Sequence, residues 1–298
     1  MEKVVYGGWE NCYRLANDKV ELIVTADVGP RIIRFGFLGR ENMFGEIKGQ
    51  LGTTKSDSWM IFGGHRLWHS PEAARTYYPD FEPVLVQEIE DGLVVTQKPE
   101  PTTGIQKQME IRMSPDRPEV QVKHTLINHN VWPVETAPWS LSVMDVGGTA
   151  IVPLPPRGSH PEAMTPTSVL SIWPYTDLSD PRWGLGFRFV LLKQDSHNTV
   201  PQKIGVFNSE GWAAYANHNA LFVKQTPLQF DGIYPDLGVN FELFTNEMIL
   251  EVESLGPLEM IPPKGTIDHF EYWTLHDNVS QPQNDEDVEK LILPLLKQ

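Results

Sequence analysis

The sequence predicts an all-β protein, a large antiparallel β-sandwich with a short C-terminal helix. Runs of alternating apolar and polar residues recur along the chain, and the clearest is Glu119–Asn128. The 23 glycines and 25 prolines fall between such runs, at the close spacing typical of sandwiches and barrels. Helical patterns are scarce, since only Glu286–Lys297, interrupted by Pro294, and a short stretch near Ala73–Tyr77 suggest one.

Eleven runs are rich enough in β-branched, aromatic and other apolar residues to be predicted as strands. In chain order they are Val20–Thr25, Arg31–Leu38, Leu93–Thr96, Gln106–Met113, Glu119–Asn128, Trp139–Met144, Gly186–Leu192, Leu221–Gln225, Asn240–Phe244, Met248–Val252 and Phe270–Leu275. The chain shows no internal repeat and no long linker. We therefore expect one domain over residues 1–298, in which residues 285–298 form a helical tail.

Composition excludes several classes of protein. The 298 residues include 24 Lys and Arg against 39 Asp and Glu, a net charge of −15, which argues against a nucleic-acid partner. A single cysteine, Cys12, cannot form an internal disulfide and fits a reducing compartment. We find no secretory signal and no apolar stretch of about 20 residues, so we expect a cytoplasmic protein without a membrane partner.

The densest chemistry lies in Phe62–Glu72 and the residues just after it. Paired glycines allow a close backbone approach, and Trp68 offers an apolar platform for the face of a sugar ring, whose hydroxyls polar groups would bind. The segment therefore predicts a binding loop for a polyhydroxylated ligand. The alternative is an irregular loop whose polar residues bind its own backbone. The candidate ligand-binding residues here are His65, Arg66, Trp68, His69, Glu72 and Arg75.

The same segment has a spacing that invites a metal interpretation. His65 and His69 would share a helix face, and Glu72 follows three residues later. However, the glutamate of a His-Glu-x-x-His motif is missing, and Arg66 would repel a cation. We expect no metal site. We also expect no cofactor, and no phosphate-binding glycine loop or nucleophile elbow is present.

A second segment, Asn240–Glu253, carries paired carboxylates. Glu251 and Glu253 are two residues apart, so on one strand they face the same way. That face is either solvated, which is the more common outcome, or lines a cleft. Three further residues could line a pocket: Lys203, Asp236 and Glu242.

The order of these segments resembles the galactose mutarotase (aldose 1-epimerase) superfamily, over about residues 15–276. The similarity is closest to a branch in which Gly-Gly-His-Arg-Leu-Trp-His and Leu-Gly-Pro are local signatures. The matching segments are Asp27–Ile32, Gly63-Gly64, Gly238–Thr245, Leu250–Glu253, Ile261–Gly265 and Tyr272–Leu275.

The resemblance implies a β-supersandwich with an open sugar-binding cleft. In this family a glutamate takes the proton of the anomeric hydroxyl, while a histidine protonates the ring oxygen. Glu251 matches the glutamate. The histidine has no counterpart, because the similar place reads Thr136–Leu141, so we assign its role to His65 as a hypothesis.

Three functions follow from the resemblance. The first is a mutarotase-like enzyme acting on a free or phosphorylated sugar, with Glu251 and His65 as the catalytic residues. The second is a carbohydrate-binding protein without turnover, and the third is another reaction of sugars, such as elimination or hydrolysis. In each case the partner is a small-molecule carbohydrate; the sequence gives no oligomeric state.

Overall fold

Nearly all of the regular secondary structure is β-strand in a computed structural model, which describes residues 1–296. The strands are β1 (Glu2–Tyr6), β2 (Trp9–Ala16), β3 (Val20–Thr25), β4 (Arg31–Phe37), β5 (Gly64–Ser70), β6 (Leu85–Ile89), β7 (Gly92–Thr96), β8 (Ile105–Met113), β9 (Glu119–Asn128), β10 (Val134–Met144), β11 (Thr149–Pro153), β12 (Leu170–Ile172), β13 (Trp183–Leu185), β14 (Phe189–Lys193), β15 (Gln202–Val206), β16 (Trp212–Asn217), β17 (Ala220–Gln225), β18 (Phe241–Thr245), β19 (Leu250–Leu255), β20 (Glu259–Ile261) and β21 (Thr266–Asp277). The helical elements are the 3-10 turn Ala74–Thr76, α1 (Pro235–Gly238) and α2 (Asp285–Leu291).

Two large antiparallel sheets contain all of these strands. The first sheet has the order β1-β2-β3-β4-β5-β10-β19-β18-β15-β12, with β20 paired to β10 at one end. The second sheet has the order β13-β14-β11-β16-β17-β21-β9-β8-β7-β6. The predicted fold class, a large antiparallel sandwich, is confirmed. The extent of the domain, residues 1–298, stays a prediction.

An aromatic cluster fills the centre between the sheets. The indole ring of Trp273 in β21 lies 5.5 Å from the ring of Phe44, 5.6 Å from that of Phe222 and 5.8 Å from that of Phe35. All four side chains are buried. Edge-to-face and tilted contacts at these distances add to the hydrophobic stabilisation that holds the two sheets together.

Two predicted strands, Val20–Thr25 and Glu119–Asn128, coincide with β3 and β9. The expectation that the Gly-Gly segment forms a loop is wrong, because Gly64–Ser70 is the central strand β5 and all seven residues are buried. Both faces of this strand carry polar side chains against buried surroundings. The apolar and polar alternation that would reveal a strand is therefore absent from its sequence.

The C-terminal helix α2 is shorter than predicted. Asn284 caps its first turn by accepting a hydrogen bond from the backbone nitrogen of Asp287, and Asp285–Asp287 place carboxylates at the positive end of the helix dipole. The helix ends at Leu291, whereas the prediction extended to residues beyond 296 that lie outside the described part of the chain. Among residues 1–296, no helix has both the length and the apolar character needed to span a bilayer.

Glu271 of β21 is the centre of a buried polar network that links the two sheets. Its carboxylate forms an ion pair with Lys224 Nζ at 2.9 Å and accepts hydrogen bonds from Trp273 Nε1 at 2.7 Å, Ser254 Oγ at 2.7 Å and Ser140. Lys224 and Ser254 approach from different sheets. Because the ammonium and the carboxylate are both fully buried, each depends on the other for its charge compensation.

Three histidines extend this network. His124 Nδ1 donates to the carbonyl oxygen of His269 at 3.1 Å, so its Nε2 is free to accept from His65 Nε2 at 2.7 Å. His65 Nδ1 then accepts from Ser142 Oγ at 2.9 Å. His269 Nε2 bonds Ser254 at 2.7 Å. We call the following residues the core network: His65, His124, Ser140, Ser142, Lys224, Ser254, His269 and Glu271.

Burial in this network keeps the histidines neutral. Loss of solvation lowers the pKa of His124 to about 4 and that of His269 to about 3, in spite of the opposing charge of Glu271. Burial likewise holds the pKa of His65 well below its usual value. A neutral His65 is thus part of the core.

We expect acid to destabilise the fold below about pH 6.5. Because the folded-state pKa values lie below the unfolded value of 6.5, the unfolded chain takes up protons first as the pH falls. Each such histidine then removes about 1.4 kcal/mol of stability per pH unit, down to about pH 4 for His124 and pH 3 for His269. The free energy of unfolding, measured by urea denaturation at a series of pH values from 7 to 4, tests this loss of stability.

The matched control is His197, whose side chain is 94% exposed. His269→Gln should flatten the dependence of the unfolding free energy on pH, while His197→Gln should leave it unchanged. A wild-type unfolding free energy that stays constant between pH 6.5 and pH 5 would contradict the interpretation.

Candidate active site

The outer face of the first sheet, which points away from the second sheet, carries a group of charged and aromatic residues. They lie on five neighbouring strands in the order β5-β10-β19-β18-β15. Alternation places them opposite the inward side chains of the same strands. We call this group the outer-face cluster, and its members are Arg66, Trp68, Trp139, Lys203, Glu242, Glu251 and Glu253.

Arg66 and Glu251 form a buried ion pair at one side of this cluster. Arg66 Nη2 donates to Glu251 Oε1 at 3.0 Å, across β10, which separates their strands. The guanidinium lies over two indole rings, 4.8 Å from the centre of Trp68 and 5.5 Å from that of Trp59. Burial raises the pKa of the Glu251 carboxyl, and the charge of Arg66 opposes that rise.

Lys203 occupies the other side of the cluster. Its Nζ lies 2.7 Å from Glu242 Oε2 and 3.1 Å from Glu253 Oε2, and the rings of Trp139 and Trp173 contact it at 4.7 and 4.8 Å. Burial alone would lower the pKa of Lys203. The two carboxylates outweigh it and hold that pKa well above its usual value, so the ammonium stays charged.

Glu242 and Glu253 face each other directly across the β18–β19 pair. Like charges at opposed positions repel, and Lys203 between them offsets part of that repulsion. Burial raises the pKa of Glu242 well above its ordinary value, and the charge of Glu253 raises it further. Trp139 Nε1 donates to Glu253 Oε2 at 2.7 Å and fixes that side chain.

Several buried polar atoms of the cluster have no hydrogen-bond partner among the described residues. They are Nε and Nη1 of Arg66, both carboxyl oxygens of Glu242 and Oε1 of Glu253. Lys203 Nζ is close to Glu242 Oε2 but lies outside hydrogen-bonding geometry for that oxygen. Unpaired buried groups are costly, so this pattern favours a ligand that supplies both donors and acceptors.

Aromatic and acidic residues form the rim above these strands. Tyr77 packs edge-on against Trp68 at 4.9 Å and against Trp59 at 5.3 Å, and its hydroxyl donates to Glu72. Asp236 lies in the one-turn helix α1 with left-handed backbone angles, φ 50° and ψ 46°. Burial raises the pKa of its carboxyl, and nearby carboxylates, including Glu72, raise it further.

The structure does not bring His65 and His69 to this site. Both lie on the inner face of β5, opposite Arg66 and Trp68. His65 belongs to the core network, and His69 Nε2 lies 3.5 Å from the buried carboxylate of Glu100. Neighbouring residues of a strand point to opposite faces of the sheet. Arg66 therefore contacts Glu251 on the outer face, while His65 points inward, and Glu251 and His65 do not share a cleft.

The remaining predicted residues divide between floor and rim. Arg66, Trp68, Lys203, Glu242, Glu251 and Glu253 form the floor of the site, and Glu72 and Asp236 belong to the rim. Arg75 is exposed in the 3-10 turn Ala74–Thr76, one turn after Glu72.

Three tryptophans of the site are absent from the predicted set: Trp59, Trp139 and Trp173. Trp139 lies in an alternating run that the sequence predicts as a strand, and this signal could have identified it. In the structure it pairs directly with Trp68 of β5. Trp59 and Trp173 lie in connections whose position no local pattern defines.

His65, His124 and Glu271 lie close enough to suggest a metal site, with one possible ligand atom from each within 4.8 Å of the others. However, Lys224 Nζ already compensates the Glu271 carboxylate at 2.9 Å, and the imidazoles bind each other. A cation there would have to displace an ammonium and break the hydrogen bonds of the core. The donor set thus fits a structural network better than a metal.

Comparison with known proteins identifies the fold. The chain is similar to the Slr1438 protein of Synechocystis sp. PCC 6803, with a TM-score of 0.60, 10% identity and coverage of 92% of this chain and 99% of that one. It is also similar to a galactose mutarotase-like protein from Lactobacillus casei (TM-score 0.56, 11% identity, coverage 89% and 100%). A galactose mutarotase related enzyme from Lactobacillus acidophilus gives a TM-score of 0.57 at 7% identity, with coverage of 91% and 99%.

No protein-family model matches the sequence, and no curated protein matches it either. At 7–11% identity the structural similarity establishes the fold and nothing finer. The chain has the galactose mutarotase-like fold, as the order of its segments predicts.

Removing the ammonium of Lys203 should destabilise the protein strongly. Lys203→Met leaves Glu242 and Glu253 buried and opposed without a compensating charge, at a cost of about 3–5 kcal/mol in the free energy of unfolding. Urea denaturation at pH 7 measures this cost.

The control is Lys98→Met, which removes an exposed ion pair with Glu82 and should have no measurable effect. If Lys203→Met destabilises no more than Lys98→Met, the two carboxylates do not depend on the lysine as the structure indicates.

Proposed function

We propose that this protein binds a sugar on the outer-face cluster and interconverts its anomers by general acid–base catalysis, with Glu251 as the base. One observation carries the proposal. Three carboxylates, two cations and several tryptophans in edge-to-face contact converge on one face of a sheet, in a fold like that of mutarotase-like proteins.

The composition of the cluster suits a sugar. Indole rings such as Trp59 and Trp68 provide apolar surfaces for the ring face, while Arg66 and the glutamates provide donors and acceptors for hydroxyls. The unpartnered atoms of Arg66 and Glu242 would gain partners from such a ligand. A small carbohydrate is therefore the partner that we propose.

Glu251 is the best candidate for the base. It is 7% exposed, whereas Glu242 and Glu253 are 1% and 0% exposed, so a ligand reaches it more readily. The rise of its pKa through burial moves the carboxylate toward the basicity that is useful near neutral pH. It would remove the proton of the anomeric hydroxyl and open the ring.

Glu242 is the best-placed proton donor for the ring oxygen. It is a diagonal neighbour of Glu251 across the β18–β19 pair, a separation of about 7–8 Å in antiparallel sheets. A sugar that lies over these two strands, on the outer face of the sheet, could contact both carboxyl groups. Burial favours the protonated form of Glu242, as an acid requires. We assign this role to Glu242 because His65 faces the core.

Sugar binding without turnover is the second candidate function. The observation that favours it is the ion pair between Arg66 and Glu251, which stabilises the carboxylate and reduces its tendency to accept a proton. Binding and turnover make different predictions for the same variants, so measurements on both distinguish the two functions.

The Glu251→Gln variant should lose any acceleration of mutarotation while it keeps sugar affinity within a few fold. Polarimetry of freshly dissolved hexoses measures the rate, and calorimetric titration measures the affinity. Glu259→Gln, on the exposed strand β20, is the control and should match the wild type. If the wild type binds sugar but does not accelerate mutarotation over buffer, the non-catalytic function remains. If it neither accelerates mutarotation nor binds sugar, both functions are refuted.

The Trp59→Ala variant should bind sugar about tenfold more weakly, because a stacking platform of the site is removed while the strands beneath are unchanged. Trp132→Ala is the matched control, since that side chain is exposed in the turn between β9 and β10. Equal affinities of the two variants in calorimetric titration would contradict this location of the site.

A further inference from the structure

A row of directly paired residues crosses the outer face of the first sheet. Arg31 of β4 pairs with Arg66 of β5, which pairs with Leu141 of β10. Leu141 pairs in turn with Glu253 of β19, and Glu253 pairs with Glu242 of β18. Directly paired residues of neighbouring strands point to the same face of a sheet. The row therefore has two guanidinium groups at one end and two carboxyl groups at the other.

The cationic end of this row has hydrogen-bond donors that no described residue accepts. Nε of Arg31 and both Nε and Nη1 of Arg66 are buried without a partner. Arg31 is 0% exposed and Arg66 is 2% exposed, so both groups are withdrawn from bulk water. Neighbouring buried cations repel each other, and unpaired buried donors are costly. Both features favour an anion that accepts hydrogen bonds from the two side chains.

One carboxylate compensates each of the two arginines. Arg31 Nη2 lies 3.0 Å from Asp80 Oδ2, and Arg66 Nη2 lies 3.0 Å from Glu251 Oε1. The four charges cancel before a ligand binds. An anion that contacts the free nitrogens would be closer to the guanidinium groups than to the carboxylates, so it would be attracted. Because the arginines are already compensated, one added negative charge suits the site better than two.

The acidic end of the row offers the complementary set of groups. Both carboxyl oxygens of Glu242 and Oε1 of Glu253 accept no hydrogen bond from a described residue. Strands β5 and β19 are separated by β10, which puts their backbones about 10 Å apart. A ligand of the size of a monosaccharide can span this distance. Such a ligand would accept hydrogen bonds at one end and donate them from hydroxyls at the other.

We propose that the preferred ligand is a hexuronic acid, whose carboxylate is held by Arg31 and Arg66 while its hydroxyls donate to Glu242 and Glu253. This inference rests on the proposed sugar-binding function and specifies its substrate class.

The shape of a hexuronic acid also fits the proposed base. Its carboxylate and its anomeric hydroxyl are attached to the ring carbons on either side of the ring oxygen, so they lie at the same edge of the ring. Arg66 and Glu251 likewise lie side by side, with Nη2 and Oε1 3.0 Å apart. A carboxylate on Arg66 would therefore bring the anomeric hydroxyl near Glu251. The phosphate of a hexose 6-phosphate lies further from the ring and carries about two negative charges at pH 7, so it fits this arrangement less well.

Calorimetric titration of the wild type at pH 7 with matched ligands tests the inference. Glucuronate and glucuronamide have nearly the same shape and differ in charge, as do galacturonate and galacturonamide. Glucose, galactose and their 6-phosphates complete each set, and acetate supplies a carboxylate without the sugar. We expect at least one uronate to bind about tenfold or more tightly than its amide. The 6-phosphates and acetate should bind more weakly than that uronate.

The Arg66→Lys variant locates the effect. It keeps a cation beside Glu251 but loses the free guanidinium donors, so the preference for the uronate over its amide should fall by several fold. A merely structural role of Arg66 would weaken the binding of both ligands equally and leave this preference unchanged. Arg117→Lys is the matched control, because that side chain is 64% exposed in the turn between β8 and β9, and it should keep the wild-type preference.

The outcomes separate this inference from the proposed function. Equal affinity for uronate and amide, or tighter binding of a 6-phosphate than of the uronate, would overturn the inference and leave the proposed sugar binding unaffected. An unchanged preference in Arg66→Lys, or acetate binding as tightly as the uronates, would also overturn it. Absence of binding by every sugar in the set would refute both proposals. Because the ligand pairs are compared on the wild type, the test does not depend on the folding of the variant.

Discussion

The alternation of side chains along β5, β10 and β19 is the constraint on which the rest of the structure depends. Strands β5 and β19 send buried polar residues to both faces, whereas β10 sends Ser140 and Ser142 inward and Trp139 outward. On β5, His65 joins the core network while its neighbour Arg66 joins the outer-face cluster. A shift of one residue in register would exchange the two sets, so the inward and outward partners together fix the pairing.

Electrostatic compensation follows from this arrangement. Buried lysines are paired with carboxylates on both sides of the first sheet: Lys224 reaches the inner side from β17 of the second sheet, and Lys203 lies on the outer face. The inner ammonium, of Lys224, is paired with one carboxylate, that of Glu271, and both oxygens of this carboxylate accept hydrogen bonds. The outer one is shared between Glu242 and Glu253, which keep unpartnered oxygens. The complete network fits a role in holding the sheets together, and the incomplete one fits a role in binding.

Sequence reasoning could predict the sandwich and most of the carboxylates of the site, since β-type alternation and the Glu251-x-Glu253 spacing are local signals. It could not place His65, because neighbouring residues of a strand point to opposite faces and the segment lacks a strand pattern. Trp59 and Trp173 reach the site from irregular connections, whose paths depend on long-range packing that no short stretch of sequence encodes.

The core network also limits how this sequence can change. Glu271 contacts residues from both sheets, so replacing any one partner alters the environment of the others. We expect the effects of substitutions at Lys224, Ser254 and Glu271 to be strongly non-additive. Divergence here would require coordinated replacement of several residues, for example by an apolar set of similar volume, whereas the rim carboxylates can vary one at a time.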